Sequence, residues 1–169
     1  NAFNILMEYP DVLSVFIPEI KPCINFKQEN RHHCYDVYTH TAHVVASAPK
    51  NLAVRWAALL HDVGKVPAFT QDENGRGHFK GHAKVSQEMA DAILRRLKAP
   101  NALREQVVLL IEKHMLWLLP EKKQLRRQIG RLGLETVYQI LSLQQADNSN
   151  KGTPKSGENE KYIEILNVL

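Results

Sequence analysis

The chain has 169 residues, of which 44% are apolar and 24% charged, which suits one globular domain with a sizeable core. No apolar run approaches the roughly 18 residues of a membrane-spanning helix, and no basic-then-apolar signal opens the chain. The net charge of +4 mildly favours an anionic partner such as a nucleotide or RNA, although a surplus of solvated lysines would look the same.

The two cysteines and the first residue bear on the origin of the chain. Cys23 and Cys34 form at most one bridge, and their spacing indicates no disulfide framework, so we interpret them as reduced thiols of a cytoplasmic protein. The chain begins at Asn1 and not at methionine, so a stand-alone domain and a piece of a longer protein both remain open.

The first thirty residues predict short helices and a connector. Apolar-periodic stretches at 3–9 and 11–16 are interrupted by Pro10 and Pro18, which disfavour a continuous helix. We therefore expect residues 1–30 to be the tail of a preceding region and residues 31–169 to form the main domain.

The sequence of the main domain predicts a series of helices. A helical pattern starts at Tyr35 and ends at Pro49, and Asn51 is placed to cap a second helix that reaches His61 and Asp62. A Gly-rich polar loop is expected at 69–82, followed by a long helix that ends before Pro100.

The second half of the domain continues in the same way. Asn101 is placed to cap a helix that ends at His114, a short basic helix follows at 121–131, and Gly133 breaks it. An amphipathic helix at 134–147, a flexible loop at 148–159 and a final helix at 162–169 complete the chain. Because no strand pattern of useful length occurs, we predict an all-α fold, a helical bundle with short N-terminal helices.

Six polar residues fall at the ends or inner faces of these apolar helices: His40, His61, Asp62, His82, His114 and Asp147. Taken singly, each could be a hydrogen-bonded core histidine or a carboxylate at a helix end. Taken together, two imidazoles and two carboxylates from His40, His61, Asp62 and Asp147 suit a divalent metal ion with positions open for water and phosphate.

Several motifs extend beyond these ligands: "HHCYDVYTHTAHVV", "WAALLHDVGK", "GRGHFKGHAKVS", "LRRLKAPN" and "QQADN". Together they resemble the HD superfamily of metal-dependent phosphohydrolases, and in particular the C-terminal HD region of bacterial CCA-adding tRNA nucleotidyltransferases, the poly(A) polymerase family. The resemblance spans about residues 4–148. The Gly-Ser motif and paired carboxylates of that family's nucleotide-adding head are absent from these residues, so we do not expect CCA addition.

The resemblance implies an enzyme that hydrolyses 2′,3′-cyclic phosphates and other phosphoesters of nucleotides or RNA ends. His40, His61, Asp62 and Asp147 would bind one divalent ion (Ni, Co, Mn, Fe, Zn or Mg), which would lower the pKa of a bound water and polarise the phosphoryl oxygen. Asp62 would also orient the nucleophile. His43, three residues after His40 on the same helix face, is an alternative first ligand.

Further residues are assigned to catalysis and substrate binding. Lys65 would neutralise the substrate phosphate or lie exposed after a glycine turn, and Arg76 in the Gly-rich loop would reach a phosphate. His82 and His114 match positions that bind a second metal or the substrate, and either could protonate the leaving oxygen. His78 is a weaker candidate for that role, and His32 and His33 are expected to be exposed.

The basic run Lys122, Lys123, Arg126, Arg127 and Arg131 would make one side of a short helix positive. It predicts either an RNA-binding face or a solvated one. The second candidate function is therefore a non-catalytic tRNA-binding module of a tRNA nucleotidyltransferase. Trp117 and Leu118 are expected in the core or at an interface rather than as residues on which bases stack. No membrane partner is expected, and the pattern does not indicate an oligomeric state.

Overall fold

The structure, a computed structural model, describes residues 1–28, 35–151 and 158–168. Nine α-helices lie in these ranges: α1 Ala2–Glu8, α2 Pro10–Phe16, α3 Val37–Ser47, α4 Leu52–Leu60, α5 His82–Arg96, α6 Asn101–Lys113, α7 Lys122–Leu132, α8 Leu134–Ser149 and α9 Glu158–Val168. A 3₁₀ helix, Pro18–Cys23, follows α2. The all-α prediction is confirmed. None of the described helices is long and apolar enough to cross a membrane.

Side chains cap the starts of three helices, α1, α3 and α4. The Asp36 carboxylate accepts hydrogen bonds from the backbone N–H groups of Tyr38 and Thr39 and caps α3. Asn51 caps α4 as predicted, because its side chain accepts from Val54 N–H at 3.1 Å. The prediction that Asn101 caps α6 is wrong, since Pro100 occupies the cap position in an extended conformation and Asn101 is already the first helical residue.

The Gly-rich loop contains a small hairpin that the sequence pattern did not predict. Strands β1 Thr70–Gln71 and β2 Gly77–His78 pair antiparallel, with Thr70 opposite His78. The Asp72 carboxylate accepts from the N–H groups of Asn74 and Arg76 and closes the turn. A two-residue strand has no room for the apolar–polar alternation that identifies longer strands.

The core lies between α3, α4, α6 and α8, with α5 packed on α6, and α7 and α9 packed on α8. Its centre is aliphatic and closed to solvent, as at Leu60, Ile93, Leu110 and Ile140. The inner face of α3, the end of α4, the start of α5 and the ends of α6 and α8 supply the polar residues described below.

The N-terminal segment packs against this core. Helix α1 contacts α3, the Tyr38 hydroxyl donates to the Leu6 carbonyl, and the side chains of Ile17 and Ile20 are buried. The short helices predicted for residues 1–30 are therefore present. The domain division at residue 30 stays a prediction.

Candidate metal centre

Four buried side chains from three helices converge on one point. His40 lies in the middle of α3, His61 and Asp62 directly follow α4, and Asp147 lies in the last turn of α8. His40 Nε2 is 2.9 Å from Asp147 Oδ1 and 3.7 Å from Asp62 Oδ2, while His61 Nε2 is 3.2 Å from Asp62 Oδ2 and 3.8 Å from Asp147 Oδ1. The structure thus brings together the ligand set expected from the sequence.

The histidines around this point share one hydrogen-bond pattern. In each ring Nδ1 faces a backbone carbonyl oxygen: Ala58 at 2.8 Å from His61, Phe79 at 2.9 Å from His82, Ile111 at 2.6 Å from His114 and Asn150 at 3.3 Å from His40. In a neutral ring, a proton on Nδ1 satisfies the carbonyl and the lone pair of Nε2 points inward. The raised pKa of His61 means that an ion binding its Nε2 would displace a proton. Metal-binding histidines are oriented in this way by their outer hydrogen bond.

A divalent ion fits the residues present. His61 Nε2 is fully buried and has no hydrogen-bond partner of good geometry among the described residues. Asp62 Oδ2 is also buried, and its charged neighbours are the Lys65 ammonium at 2.8 Å and His61 Nε2 at 3.2 Å. Potential ligand atoms of His40, His61 and Asp62 all lie within 4.8 Å of one another. Buried polar atoms usually find a partner, so the inward-facing His61 nitrogen without one, beside two carboxylates, indicates a cation site.

The electrostatics of the cluster favour a cation. Burial opposes protonation of His61, but the Asp62 and Asp147 carboxylates outweigh it and raise the pKa of His61 to about 10. Burial would raise the pKa of Asp62, yet His61 and Lys65 hold that pKa well below its usual range. The pKa of Asp147 is likewise well below its usual range, because hydrogen bonds from His40 and His61 overcome the effect of burial. Both carboxylates are therefore ionised at neutral pH.

A second group of potential ligands adjoins the first. Atoms of Asp62, His82 and His114 also lie within 4.8 Å of one another, and His82 Nε2 is 3.5 Å from Asp62 Oδ1. Burial and the neighbouring His61 lower the pKa of His114 to about 4, and burial also lowers the pKa of His82. Both rings are thus neutral at pH 7 and keep a lone pair for a cation or a substrate proton.

Lys65 is buried and does not lie exposed after its glycine. Its Nζ is 2.8 Å from Asp62 Oδ2, and it donates to Gln28 Oε1 at 2.7 Å. Gln28, itself buried, donates through Nε2 to the Tyr35 carbonyl. No spacing rule links Gln28 to Lys65, so this contact of the N-terminal segment was not predicted.

A second lysine holds the other carboxylate. Lys151 Nζ is 2.7 Å from Asp147 Oδ2 and 2.7 Å from Asn148 Oδ1. Sequence reasoning placed Lys151 in a flexible loop. Its position four residues after Asp147 was the available signal, since a helix that continues to Ser149 brings such residues to one side.

The two aspartates of the cluster line a pocket of about 160 Å³, while His40 and His61 lie outside its lining. Polar lining residues are Asp62, Lys65, His82, His114, Asp147 and Lys151. Phe79 and Met115 line the apolar side. The pocket therefore joins a candidate metal centre to two ammonium groups, which suits an anionic ligand.

Other sequence candidates lie elsewhere. The His43 ring is stacked on Phe3 at 4.2 Å and lies 4.6 Å from the Tyr35 ring, so the structure favours His40 over His43 as the ligand on α3. His78 pairs with Asp72 on the hairpin, and Arg76 is exposed there; neither lines the pocket. His32, His33 and Cys34 lie outside the described residues, while Cys23 is a buried free thiol.

The basic run occupies the outer face of α7. Lys122, Lys123, Arg126, Arg127 and Arg131 are all exposed, while Leu125 and Gln128 on the same helix are buried. Leu118 is a core residue as expected, but Trp117 is 70% exposed and is not.

Comparison with known proteins confirms the resemblance. The family model described as HD domain matches residues 31–149. The chain is 33% identical over 166 residues to an A-adding tRNA nucleotidyltransferase of Deinococcus radiodurans, which covers 95% of this chain and 38% of that protein. It is 38% identical over 135 residues to a CC-adding tRNA nucleotidyltransferase of Thermus thermophilus, which covers 75% of this chain and 30% of that protein.

A third group of relatives has the same partial coverage. The chain is 37% identical over 106 residues to a Multifunctional CCA protein of Aromatoleum aromaticum, and the match covers 60% of this chain and 25% of that protein. The chain thus spans well under half the length of the relatives it matches.

Proposed function

This chain belongs to the HD domain family, and on that premise we propose that it is a metal-dependent phosphohydrolase for nucleotide or RNA-end phosphoesters. The observation that carries the proposal is the convergence of the Nε2 atoms of four histidines on two ionised aspartates, which line a pocket together with two lysines. A buried centre that merely stabilised the fold would not require an open anionic-ligand pocket beside it.

The ligand roles follow from the distances. His40, His61, Asp62 and Asp147 would hold one divalent ion, and Asp62 with His82 and His114 would support a second. When bound, such an ion supplies a water of lowered pKa and polarises a phosphoryl oxygen. Nitrogen and oxygen ligands together suit Mn, Fe, Co, Ni or Zn, with Mg favoured by fewer nitrogens.

The remaining residues of the pocket act on the substrate. The ammonium groups of Lys65 and Lys151 neutralise phosphate oxygens, and the Asp62 carboxylate orients the attacking water. His82 is more solvent-accessible than His114, so its Nε2 is the better placed atom to exchange a proton with the leaving oxygen. Arg76 on the hairpin remains a candidate phosphate contact from outside the pocket.

Elemental analysis of the purified protein, joined to an activity panel, tests the proposal. The panel contains 2′,3′-cyclic nucleotides and 2′-nucleotides, with Ni, Co, Mn or Mg added. We expect at least one divalent ion per chain and hydrolysis of at least one ester class. We expect Asp62→Ala to lower both the metal content per chain and the rate of hydrolysis by two orders of magnitude or more. Protein without metal that is inert on the whole panel would contradict the proposal.

A second candidate function is a tRNA-binding module of a longer tRNA nucleotidyltransferase. Its support is the exposed basic face of α7 together with relatives whose names are tRNA nucleotidyltransferases. It predicts tRNA binding that weakens with salt and weakens further in Lys123→Glu and Arg127→Glu. Absence of a mobility shift with tRNA at low salt would contradict it.

A further inference from the structure

The pocket is too small to enclose a whole nucleotide end. Its volume is about 160 Å³, whereas ligand pockets commonly measure roughly 300–1,000 Å³. A phosphate seated between Lys65 and Lys151 therefore leaves the attached sugar and base at or beyond the rim. On that rim Met115 is 62% exposed and lines the pocket, so the residues that follow it are the ones an extending substrate meets.

The segment 115–119 has a firmly held backbone. Gln144 of α8 donates through Nε2 to the carbonyls of His114 and Leu116, at 3.0 and 2.7 Å. Gln124 of α7 accepts from Leu119 N–H at 2.6 Å and donates to the Trp117 carbonyl at 3.0 Å. The side chains of Gln144 and Gln124 thus fix the backbone of the irregular segment 115–119 from two helices.

This held segment presents apolar side chains to solvent in alternation. Leu116 and Leu118 turn toward the core, whereas Met115 and Trp117 turn outward. The exposed indole costs free energy in water, since burying it would remove a large apolar area. Lys161 of α9 places its Nζ 3.8 Å from the centroid of the Trp117 ring, which adds a positive charge at the aromatic surface.

Positive charge continues from Trp117 along α7. Residues 115–132 contain five lysines and arginines and a single acid, Glu121, so this segment carries a charge as large as the excess of the whole chain. All five cations are exposed. An exposed aromatic surface beside a basic track is the combination that binds single-stranded nucleic acid, because bases stack on the ring while the cations contact the phosphates.

We propose that Met115, Trp117 and the exposed face of α7 form a docking surface for single-stranded RNA whose terminal phosphate enters the pocket. This surface, here called the 115–131 track, specifies RNA ends as the substrate class and so rests on the proposed phosphohydrolase function. A protein partner is disfavoured because the apolar area is confined to two side chains and the rest of the track is strongly cationic.

Fluorescence anisotropy tests the track without turnover. The probe is a labelled single-stranded 12-mer RNA with a 2′,3′-cyclic phosphate end, titrated with the full chain in EDTA at low salt. We expect Trp117→Ala to weaken binding fivefold or more and Trp117→Phe to restore most of it. Phe16→Ala removes an aromatic residue that is 60% exposed on α2, and it should bind as the wild type does.

Reversing the charge of a basic residue on α7 provides a second test of RNA binding. Arg127→Glu should weaken binding and flatten its salt dependence, whereas Lys21→Glu, an exposed lysine of the N-terminal segment, should change neither. Binding that is insensitive to Trp117→Ala, equal affinity for duplex RNA, or no binding at low salt would each overturn the proposal. So would self-association lost in Trp117→Ala without RNA binding, because the track would then be a contact between copies.

The experiments distinguish failure of the RNA-docking proposal from failure of the phosphohydrolase proposal. The anisotropy titration contains no free metal and reports binding alone. Hydrolysis of a 2′,3′-cyclic mononucleotide by the wild type reports the metal centre alone, since a mononucleotide has no chain to lie along α7. Hydrolysis of the mononucleotide without RNA binding would overturn the proposed docking surface and leave the proposed phosphohydrolase activity supported.

Discussion

At the scale of single residues, each candidate ligand is oriented by a second group that contacts it from outside the cluster. The Ala58 carbonyl fixes the ring of His61, Asn150 does so for His40, and Lys151 holds the outer oxygen of Asp147. Such supporting contacts orient ligands before an ion arrives, which lowers the cost of binding it. Substitutions behind the ligands should therefore change function while leaving the ligands themselves intact.

Gln28 offers a test of this principle for Lys65. Gln28→Leu keeps the buried volume but removes the 2.7 Å hydrogen bond that fixes the Lys65 ammonium. We expect metal content to stay unchanged and KM for a phosphoester to rise several-fold, because the phosphate contact becomes less ordered. Steady-state kinetics would measure this effect.

A double-mutant cycle supplies the control for Gln28. If Gln28 acts through Lys65, then adding Gln28→Leu to Lys65→Met should have little further effect on KM. Additive losses in the double variant would show instead that Gln28 acts independently of Lys65.

His114 should make stability depend on pH. Its pKa is lowered to about 4 in the folded chain against an ordinary value of 6.5, so its contribution to stability is full above pH 6.5 and is lost as the pH falls toward 4. Relative to the wild type, His114→Gln should therefore gain about 2 kcal/mol in free energy of unfolding between pH 8 and pH 5.

The comparison with the wild type is essential because His61 acts in the opposite direction. Its pKa is raised to about 10, so its stabilising contribution is largest below pH 6.5 and is lost as the pH rises through 10. Guanidinium unfolding of metal-free protein at both pH values would measure the difference. A constant gap between variant and wild type would contradict the buried neutral state of His114.

At the scale of elements, Gly64 joins the end of α4 to the start of α5. Its N–H donates to Ser86 Oγ at 2.9 Å, and a Cβ there would lie 2.4 Å from Ser86 N and 2.8 Å from the His82 carbonyl. Both conflicts are with the backbone of α5, so they cannot be relieved by rotating a side chain.

Gly64→Ala should therefore be costly. We expect it to lower the free energy of unfolding by roughly 2 kcal/mol or more, because α5 must move, and to displace His82 from the pocket. Chemical denaturation would measure the loss. The matched control is Gly130→Ala within α7, where nothing lies within 4 Å of the added Cβ, and it should be neutral or stabilise by about 0.5–1 kcal/mol. Similar effects at both glycines would contradict the packing argument.

The helices and the ligands were predictable for different reasons. Pro49 and Asn51 located the end of α3 and the start of α4, since proline and a capping asparagine act on the backbone next to them. The candidate metal ligands His40, His61, Asp62 and Asp147 were identified because they occur as an ordered set that resembles a known family pattern. Gln28 was missed because its role arises from a contact with a distant segment, whereas Lys151 was missed because α8 continues beyond the predicted helix end at residue 147. The 70% exposure of Trp117 excludes the core and leaves the interface among its two predicted locations.

At the scale of the whole molecule, the bundle holds ligands from α3, α4 and α8 at fixed separation, with α5 and α6 adding His82 and His114. The N-terminal segment supports the pocket through Gln28, which accepts a hydrogen bond from the lining residue Lys65. An ion that binds only the folded arrangement stabilises it by mass action. Removing the ion should therefore affect both stability and turnover, and restoring it should recover both.

The most direct test of this account is the rate of 2′,3′-cyclic nucleotide hydrolysis by chelator-stripped protein as a divalent ion is titrated back. We predict that stripped protein is inactive and that the rate rises with occupancy of the site. Asp62→Asn should remain inactive at every metal concentration, while His43→Ala, outside the cluster, should still be activated. Hydrolysis that persists in stripped protein, or in Asp62→Asn at the wild-type rate, would contradict a metal centre at His40, His61, Asp62 and Asp147.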